Sequence, residues 1–133
     1  MPSIFITLTG VAIFGGIGSV VRLALSHWHG KLPWGILSGN VLASIVIGAT
    51  FAAALNAPAE DAVKGVHWIA LWTTLLATGL AGGLSTFSSW AAQTVHFFAQ
   101  KQRTRGYLNF LLNLVLPAAG VIVGMFQATS VLK

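Results

Sequence analysis

The sequence contains no cysteine, which excludes disulfide bonds, thiolate metal sites and cysteine nucleophiles. Charged residues are scarce as well, since they make up 7% of the 133 residues, whereas soluble domains average about 25%. A surface that faces water has to be covered with polar groups, but a surface that faces lipid tails needs almost none. With 56% hydrophobic residues, the composition therefore predicts a protein whose main solvent is the lipid bilayer.

Long apolar runs account for nearly the whole chain. A helix needs about 20 apolar residues to cross roughly 30 Å of hydrocarbon, and four runs reach that length. The connections between them are short, so successive helices must be antiparallel. We therefore predict one all-helical transmembrane domain over residues 1–133, multi-pass in the inner or plasma membrane of the cell. The four predicted spans cover residues of about 4–26, 33–56, 66–99 and 106–131.

The third run is too long for one straight span, and its middle is rich in glycine and hydroxyl residues. Gly79 and Gly82 are followed by Ser85 and Thr86, which predicts a helix broken near residues 79–86. Irregular backbone at membrane depth is tolerated only where it is buried in protein or lines a polar cavity, because unpaired amides and carbonyls are costly in lipid. The break therefore predicts a functional site.

Small residues at four-residue spacing mark two helix faces, with Gly35, Gly39 and Ala43 on the second run and Gly120 and Gly124 on the fourth. Such stripes let helix backbones approach closely, and we assign them to packing with no further role. Four spans form a small bundle with little room for an internal pathway. We therefore expect the chain to assemble into at least a dimer.

The distribution of basic residues bears on membrane orientation and on partners. Four of them flank the first and third connections and two lie on the opposite side, which by the positive-inside rule favours both termini outside. The difference is small, so insertion in both orientations stays open. No basic run interleaves with aromatic residues, so the net charge of +5 does not indicate nucleic-acid binding. The larger group is Lys31, Lys101, Arg103 and Arg105, and the smaller is Lys64 and Lys133.

Carboxylates are absent from all four predicted spans, because the only two, Glu60 and Asp61, share one connecting segment. Proton-coupled carriers and cation exchangers usually hold their ion at a buried carboxylate, so both classes are disfavoured, as is a fluoride/proton antiporter. A small multidrug exporter would need a glutamate in its first helix. Enzyme chemistry is disfavoured too, because no histidine has a carboxylate or cysteine spaced to complete a triad or metal site. The histidines are His27, His29, His67 and His96.

The polar side chains that remain inside the spans are almost all neutral. Amide and hydroxyl groups can donate to a small anion without trapping it, and conduction needs binding weak enough to leave. Phe87 and Trp90 share a helix face, and their ring edges carry positive quadrupole density, although aromatic pairs at this spacing also serve ordinary packing. The neutral residues are Asn40, Thr86, Ser88, Ser89, Asn109 and Asn113, and the cation is Arg22.

Three motifs stand in order along the chain. They are Gly-Gly-Ile-Gly at residues 15–18 leading to Arg22, Pro-Trp-Gly at 33–35 leading to Asn40, and Gly-Gly-Leu-Ser-Thr-Phe-Ser at 82–88. Together they closely resemble the Fluc (CrcB) family of fluoride channels, and the resemblance covers essentially the whole chain. It implies an antiparallel, dual-topology dimer with two parallel fluoride pores.

The resemblance also implies a direction of transport. Neutral hydrogen fluoride crosses lipid and dissociates inside the cell, so fluoride accumulates there when the surroundings are acidic. A passive channel then lets the ion leave down its electrochemical gradient, which reduces fluoride toxicity without a pump.

Matched motif by motif, the functional residues of the family fall on definite positions of this chain. A structural sodium ion is implied at the dimer centre, held by the backbone carbonyls of Gly82 and Ser85 from both subunits. Arg22 is implied at a vestibule, where a cation raises the local anion concentration, although an interfacial anchor is an equal alternative. The implied pore residues are Asn40, Phe87, Ser88, Trp90, Asn109 and Asn113, with Tyr107 at the entrance.

The chain departs from the family pattern at four positions. Trp90 stands where phenylalanine is usual, Ile36 and Ser85 where threonine is frequent, and Pro117 where the fourth helix would otherwise continue polar. These departures leave open a non-conducting or half-active subunit of a heterodimer with a paralogous partner. A small four-helix transporter or structural subunit is a further alternative. The homodimer is the first interpretation, because the pore asparagine, the first pore phenylalanine and the glycines are all present.

Overall fold

The computed structural model describes residues 4–28, 30–56 and 66–131, with the side chains of 69–130 in the last range. Regular structure in these ranges is helical throughout. Several residues considered above lie outside the described part of the chain, or have their side chain outside it. They are His29, Glu60, Asp61, Lys64 and Lys133, and the side chain of His67.

Four helical stretches of the described residues are long and apolar enough to cross a membrane. The third is bent and consists of helical pieces joined end to end, one of them a wider π-helix. The chain is thus a multi-pass membrane protein with four spanning helices. The elements are α1 (Ile4–Ser26), α2 (Trp34–Leu55), α3 (Val66–Thr73), the π-helical segment (Thr74–Ala81), α4 (Gly82–Leu84), α5 (Phe87–Ala99) and α6 (Arg103–Val131).

A tight reversal after α5 lets α6 start three residues before its predicted position. Lys101 has a φ of 59°, the left-handed conformation that commonly ends a helix. Its N–H donates to the carbonyl of Phe98 at 3.0 Å, and the N–H of Gln102 donates to that of Phe97 at 2.9 Å. This pair of bonds is the Schellman arrangement, which satisfies the last carbonyls of α5. The chain can therefore re-enter a helix at Arg103.

Helices α2 and α6 pack against each other along most of their length. The contact is closest at Gly48 and Gly124, where an added Cβ would overlap the carbonyl oxygens of Val121 and Ile45, respectively. Gly120 is nearly as close, because a Cβ there would lie 3.1 Å from the carbonyl oxygen of Val41. The prediction that the glycines of the fourth run serve close packing is confirmed. We call Gly48, Gly120 and Gly124 the glycine seam.

Helix α1 packs against the π-helical segment and α4. An added Cβ on Gly18 would lie 2.9 Å from the backbone nitrogen of Leu84, and one on Gly83 would overlap the carbonyl of Gly15. Gly18 is the buried residue of α1, whose large apolar side chains such as Phe5 and Val20 are exposed. Lipid or protein is the natural environment of such a surface.

Candidate functional site

The third span changes direction at Ser85 and Thr86, and a side chain of α2 holds that point. Both residues are extended, with ψ of 153° and 116°. In a continuous helix the N–H of Thr86 would donate to the carbonyl of Gly82, but here it donates to Oδ1 of Asn40 at 2.8 Å. Nδ2 of Asn40 in turn donates to the carbonyl of Thr86 at 3.4 Å. The amide of Asn40 thus replaces the helical partner of an extended residue.

From Asn40 a chain of hydrogen bonds runs through α6 to α5. Nδ2 of Asn40 donates to Oδ1 of Asn113 at 3.0 Å, and Nδ2 of Asn113 donates to Oδ1 of Asn109 at 3.3 Å. Nδ2 of Asn109 donates to Oγ1 of Thr94 at 2.8 Å, and that hydroxyl donates to the carbonyl of Trp90 at 2.9 Å. We call Asn40, Asn113, Asn109 and Thr94 the asparagine chain.

The direction of the asparagine chain follows from its first link. A backbone N–H can only donate, so Oδ1 of Asn40 must accept from Thr86 and its Nδ2 must face Asn113. Each later amide is then oriented by the one before it. Asn109 is 2% exposed, and leaving such a buried amide unpaired would cost about 1–3 kcal/mol. The asparagine chain is therefore a hydrogen-bond network with a fixed direction inside the protein, and each of its amides has a partner.

Aromatic rings cover one side of this network. Phe87 and Trp90 meet edge to face with ring centroids 5.0 Å apart, and Trp90 stacks on Phe110 at 5.5 Å. The indole N–H of Trp90 donates to the backbone carbonyl of Asn109 at 3.2 Å. The donor that distinguishes tryptophan from phenylalanine is thus used within the protomer. Phe87 is 74% exposed, so its ring projects from the protomer surface.

Two cavities meet at Thr86. The larger, the Arg22 cavity, has a volume of about 550 Å³ and a polar lining of Arg22 and hydroxyls. The smaller, the asparagine cavity, has a volume of about 240 Å³ and contains the start of the asparagine chain. The Arg22 cavity is lined by Ser19, Arg22, Ser26, Thr86, Ser88 and Ser89, among others. The asparagine cavity is lined by Asn40, Ser44, Ser85, Thr86, Phe87, Trp90, Asn113 and Pro117.

Hydroxyl groups between the two cavities cap the start of α5. Oγ1 of Thr86 accepts from the N–H of Ser89 at 3.3 Å and donates to the Ser89 hydroxyl at 3.1 Å. The hydroxyl of Ser88 lies 3.4 Å from the same oxygen. This is the side-chain capping expected of threonine at a helix start. It leaves Ser88 exposed, at the edge of the Arg22 cavity.

The electrostatic balance of the site favours anions. The described residues contain no carboxylate side chain, because Glu60 and Asp61 lie outside them. Arg22 is half-buried in the larger cavity, where its positive charge acts on whatever enters. Within the same residues, no three histidine, cysteine or acidic side chains are grouped to hold a metal ion. A cation here would have to be bound by backbone carbonyls or other neutral oxygens.

Comparison with known proteins gives the family. A family model described as "CrcB-like protein, Camphor Resistance (CrcB)" matches residues 9–125. The chain belongs to the CrcB family. Curated relatives at 33–39% identity include proteins named "Fluoride-specific ion channel FluC". One from Pectobacterium atrosepticum is 39% identical over 83% of this chain and 84% of its own length. One from Leptospira interrogans is 33% identical over 92% of this chain and 91% of its own length.

The match to the CrcB model covers the whole site, including both cavities and the asparagine chain. Most of the residues singled out from the sequence line one of the two cavities that meet at Thr86. Tyr107 is different, since it is 61% exposed and packs edge to face on Phe98 with centroids 5.1 Å apart. It lies two residues before Asn109 and therefore on nearly the opposite face of α6. Within one protomer it is apart from the asparagine chain.

Two members of the site in this CrcB protein were not anticipated from sequence. Thr94 accepts the last amide of the asparagine chain, and Ser44 lines the asparagine cavity. Each stands four residues after a residue already singled out, Trp90 and Asn40, and therefore on the same helix face. That four-residue spacing is the sequence signal from which Thr94 and Ser44 could have been found.

Proposed function

We propose that this chain forms a fluoride-selective ion channel through which cytoplasmic fluoride leaves the cell passively. The observation that carries the proposal is the asparagine cavity, where neutral amides and hydroxyls meet two aromatic rings at a bend in a membrane-spanning helix. Neutral donors can bind a partly dehydrated anion weakly enough for conduction. The relatives named fluoride-specific ion channels support fluoride as that anion. Those names also support a channel and not an enzyme.

The roles of the residues follow from their positions. Arg22 and the hydroxyls around it attract the anion into the larger cavity, and Ser88 borders the way to Thr86. Asn40 and Asn113 then form the polar wall of the smaller cavity, which Phe87 and Trp90 also line. The buried Asn109 supports Asn113 from behind. Tyr107, near the start of α6 and close in sequence to Arg103 and Arg105, stands at an entrance of the pore.

We propose further that the bend is a break at mid-membrane depth and that the channel is an antiparallel dimer. The supporting observation is that large apolar side chains are exposed in a single protomer. Phe87 is 74% exposed, and many large apolar side chains of α1 are exposed as well. A second copy in the opposite orientation would cover these surfaces and close two equivalent pores. The small difference in basic residues between the two sides of the membrane is compatible with insertion in both orientations.

A structural sodium ion fits the backbone at the bend. Because the N–H of Thr86 donates to Asn40, the carbonyl of Gly82 is released from its usual helical partner. An added Cβ on Gly82 would meet nothing closer than 4.0 Å, so this backbone is open for a partner subunit. The carbonyls of Gly82 and Ser85 from both subunits would hold the ion, whose charge would draw the two bends together.

Exchanging sodium for a large organic cation should weaken the dimer on size-exclusion chromatography. A dimer that is unchanged by this exchange would contradict a sodium site between the two bends.

A second candidate is a half-active subunit that needs a paralogous partner. The observation that favours it is Trp90, whose wider ring is locked to α6 by the bond from its N–H to Asn109 and so fills space that phenylalanine would leave. In that case only the pore built with the partner's aromatic residues would conduct.

The test is fluoride efflux from liposomes that contain only this purified chain. Potassium and valinomycin carry the compensating charge, and ion-selective electrodes follow fluoride and chloride in parallel. A fluoride channel releases fluoride rapidly and retains chloride. No fluoride release from protein that elutes as a folded, monodisperse species would contradict the proposal for the chain alone and favour the heterodimer.

A further inference from the structure

Several hydroxyl groups in the spanning helices donate to a carbonyl of the preceding turn. On α2 the hydroxyl of Ser38 donates to Gly35 at 3.0 Å, and that of Thr50 donates to Val46 at 3.0 Å. This bond is the usual way for a hydroxyl to be satisfied without water. Ser44 lies between these two residues and does not follow them, because within the described part of the chain its hydroxyl makes no hydrogen bond.

The unpaired hydroxyl of Ser44 is not sealed inside the protein. Among the described residues, the fully buried side-chain oxygen or nitrogen without a partner is Oε1 of Gln93, which leaves the Ser44 oxygen accessible. The space that it reaches is the asparagine cavity, where Ser44 lies one helical turn from Asn40. A donor without a partner therefore faces a small polar space inside a membrane-spanning bundle.

The amide and indole donors of that cavity are already engaged. The two N–H groups of the Asn40 amide serve Thr86 and Asn113, and the amide of Asn113 serves Asn109. The indole N–H of Trp90 also serves Asn109. Fluoride can only accept hydrogen bonds, so each of these donors would have to abandon an existing partner to bind it. The hydroxyl of Ser44 would not.

We propose that Ser44 is a fluoride ligand of the pore, donating its hydroxyl hydrogen to the dehydrated ion, while Asn40 positions the bend beside it. This inference rests on the proposed function, since it concerns the anion that the cavity would conduct. Ser85 lines the same cavity and offers a second hydroxyl. A hydrogen bond to a charged group contributes about 1.5–3 kcal/mol, so its loss corresponds to roughly a tenfold or larger weakening of fluoride binding.

The experiment compares Ser44→Ala with Ser38→Ala, two identical changes on one helix. Fluoride efflux is measured from liposomes, and fluoride binding is measured separately by titration calorimetry in detergent with sodium fluoride, using sodium chloride as the reference. We expect Ser44→Ala to bind fluoride about tenfold more weakly or worse and to conduct it more slowly. Ser38→Ala should match the wild type, because its hydroxyl is already bonded to Gly35. Ser44→Thr keeps a hydroxyl and should retain most of the binding.

The two readouts separate the possible failures. If the wild type conducts and Ser44→Ala binds and conducts as Ser38→Ala does, the role of Ser44 is overturned while the channel stands. If the wild type binds fluoride but does not conduct, the channel proposal fails, and a weaker heat in Ser44→Ala than in Ser38→Ala still supports the ligand. If the folded wild type gives no heat of fluoride binding, the proposal that Ser44 is a fluoride ligand is overturned as well.

Discussion

The pair formed by α2 and α6 is built differently in its two halves. Toward one end the glycine seam brings the backbones together, so that Gly48 and Gly124 lie directly against carbonyl groups of the facing helix. Two turns away the same helices are joined by the amides of Asn40 and Asn113. Side-chain amides reach only a few ångströms and need a fixed separation and register. We infer that close packing in the glycine half sets the separation of α2 and α6 at which the amides of Asn40 and Asn113 can form their hydrogen bond.

Placing a charge in the asparagine half should have the largest effect on fluoride efflux. In Asn40→Asp the carboxylate can still accept from the N–H of Thr86 but can no longer donate to Asn113. A negative charge would then stand in the proposed anion pathway, and burying it is expensive. We expect fluoride efflux to fall by at least about a hundredfold, as a loss of about 3 kcal/mol would give.

The control for this change is Asn56→Asp on the same helix. Asn56 is exposed at the end of α2, where its amide donates to the carbonyl of Ala52 at 2.8 Å. Efflux should remain near the wild-type rate there. Equal efflux from the wild type and Asn40→Asp would mean that the ion does not pass Asn40.

Adding a single methyl group in the glycine half should have the next largest effect. It should change the stability of the protein more than its preference for fluoride over chloride. In Gly48→Ala the new Cβ would overlap the carbonyl of Val121, so the two backbones must separate. Overpacking of this kind costs about 1–3 kcal/mol. We expect a lower melting temperature in detergent and a slower fluoride efflux with unchanged preference over chloride.

Gly15→Ala provides the matched comparison for the seam. A Cβ at Gly15 would lie 3.7 Å from the carbonyl oxygen of Gly79, an ordinary contact within the protomer, so its melting temperature should stay near the wild-type value. If Gly48→Ala melts no lower than Gly15→Ala, the seam does not control the separation of α2 and α6.

The smallest effect should come from Trp90→Phe, which keeps an aromatic ring and removes one hydrogen bond to Asn109. The net contribution of such a bond is about 0.5–1.5 kcal/mol. We expect a slightly lower melting temperature with fluoride efflux retained. The comparison is Trp72→Phe, since Trp72 is 52% exposed and packs only edge to face on Phe14 within the described residues. A tenfold loss of efflux in Trp90→Phe alone would make its N–H part of the pathway itself.

Much of the architecture was predictable because composition and span length reflect the lipid directly. Four apolar runs became four spanning helices, and the glycines of the fourth run became a packing seam. The start of α6 was less predictable. It depends on the left-handed Lys101, a conformation that the sequence around a lysine does not signal.

The sequence singled out residues of the candidate site but not the hydrogen bonds among them. Neutral polar positions and motif resemblance pointed to Asn40, Phe87 and Asn113. The bond from Trp90 to Asn109 goes to a backbone carbonyl on another helix. Any residue has that acceptor, so no sequence pattern marks it. Likewise, Ser44 differs from Ser38 only in what the packing leaves around each hydroxyl.

The central claim is that fluoride passes through the asparagine half of this molecule without a second subunit type. The most direct measurement is the reversal potential of the purified chain in a planar bilayer, with fluoride salt on one side and chloride salt on the other. We expect a current that reverses at or near the fluoride equilibrium potential and disappears in Asn40→Asp. A reversal potential set by chloride or by the cation, or a current unaffected by Asn40→Asp, would contradict passage of fluoride through this half.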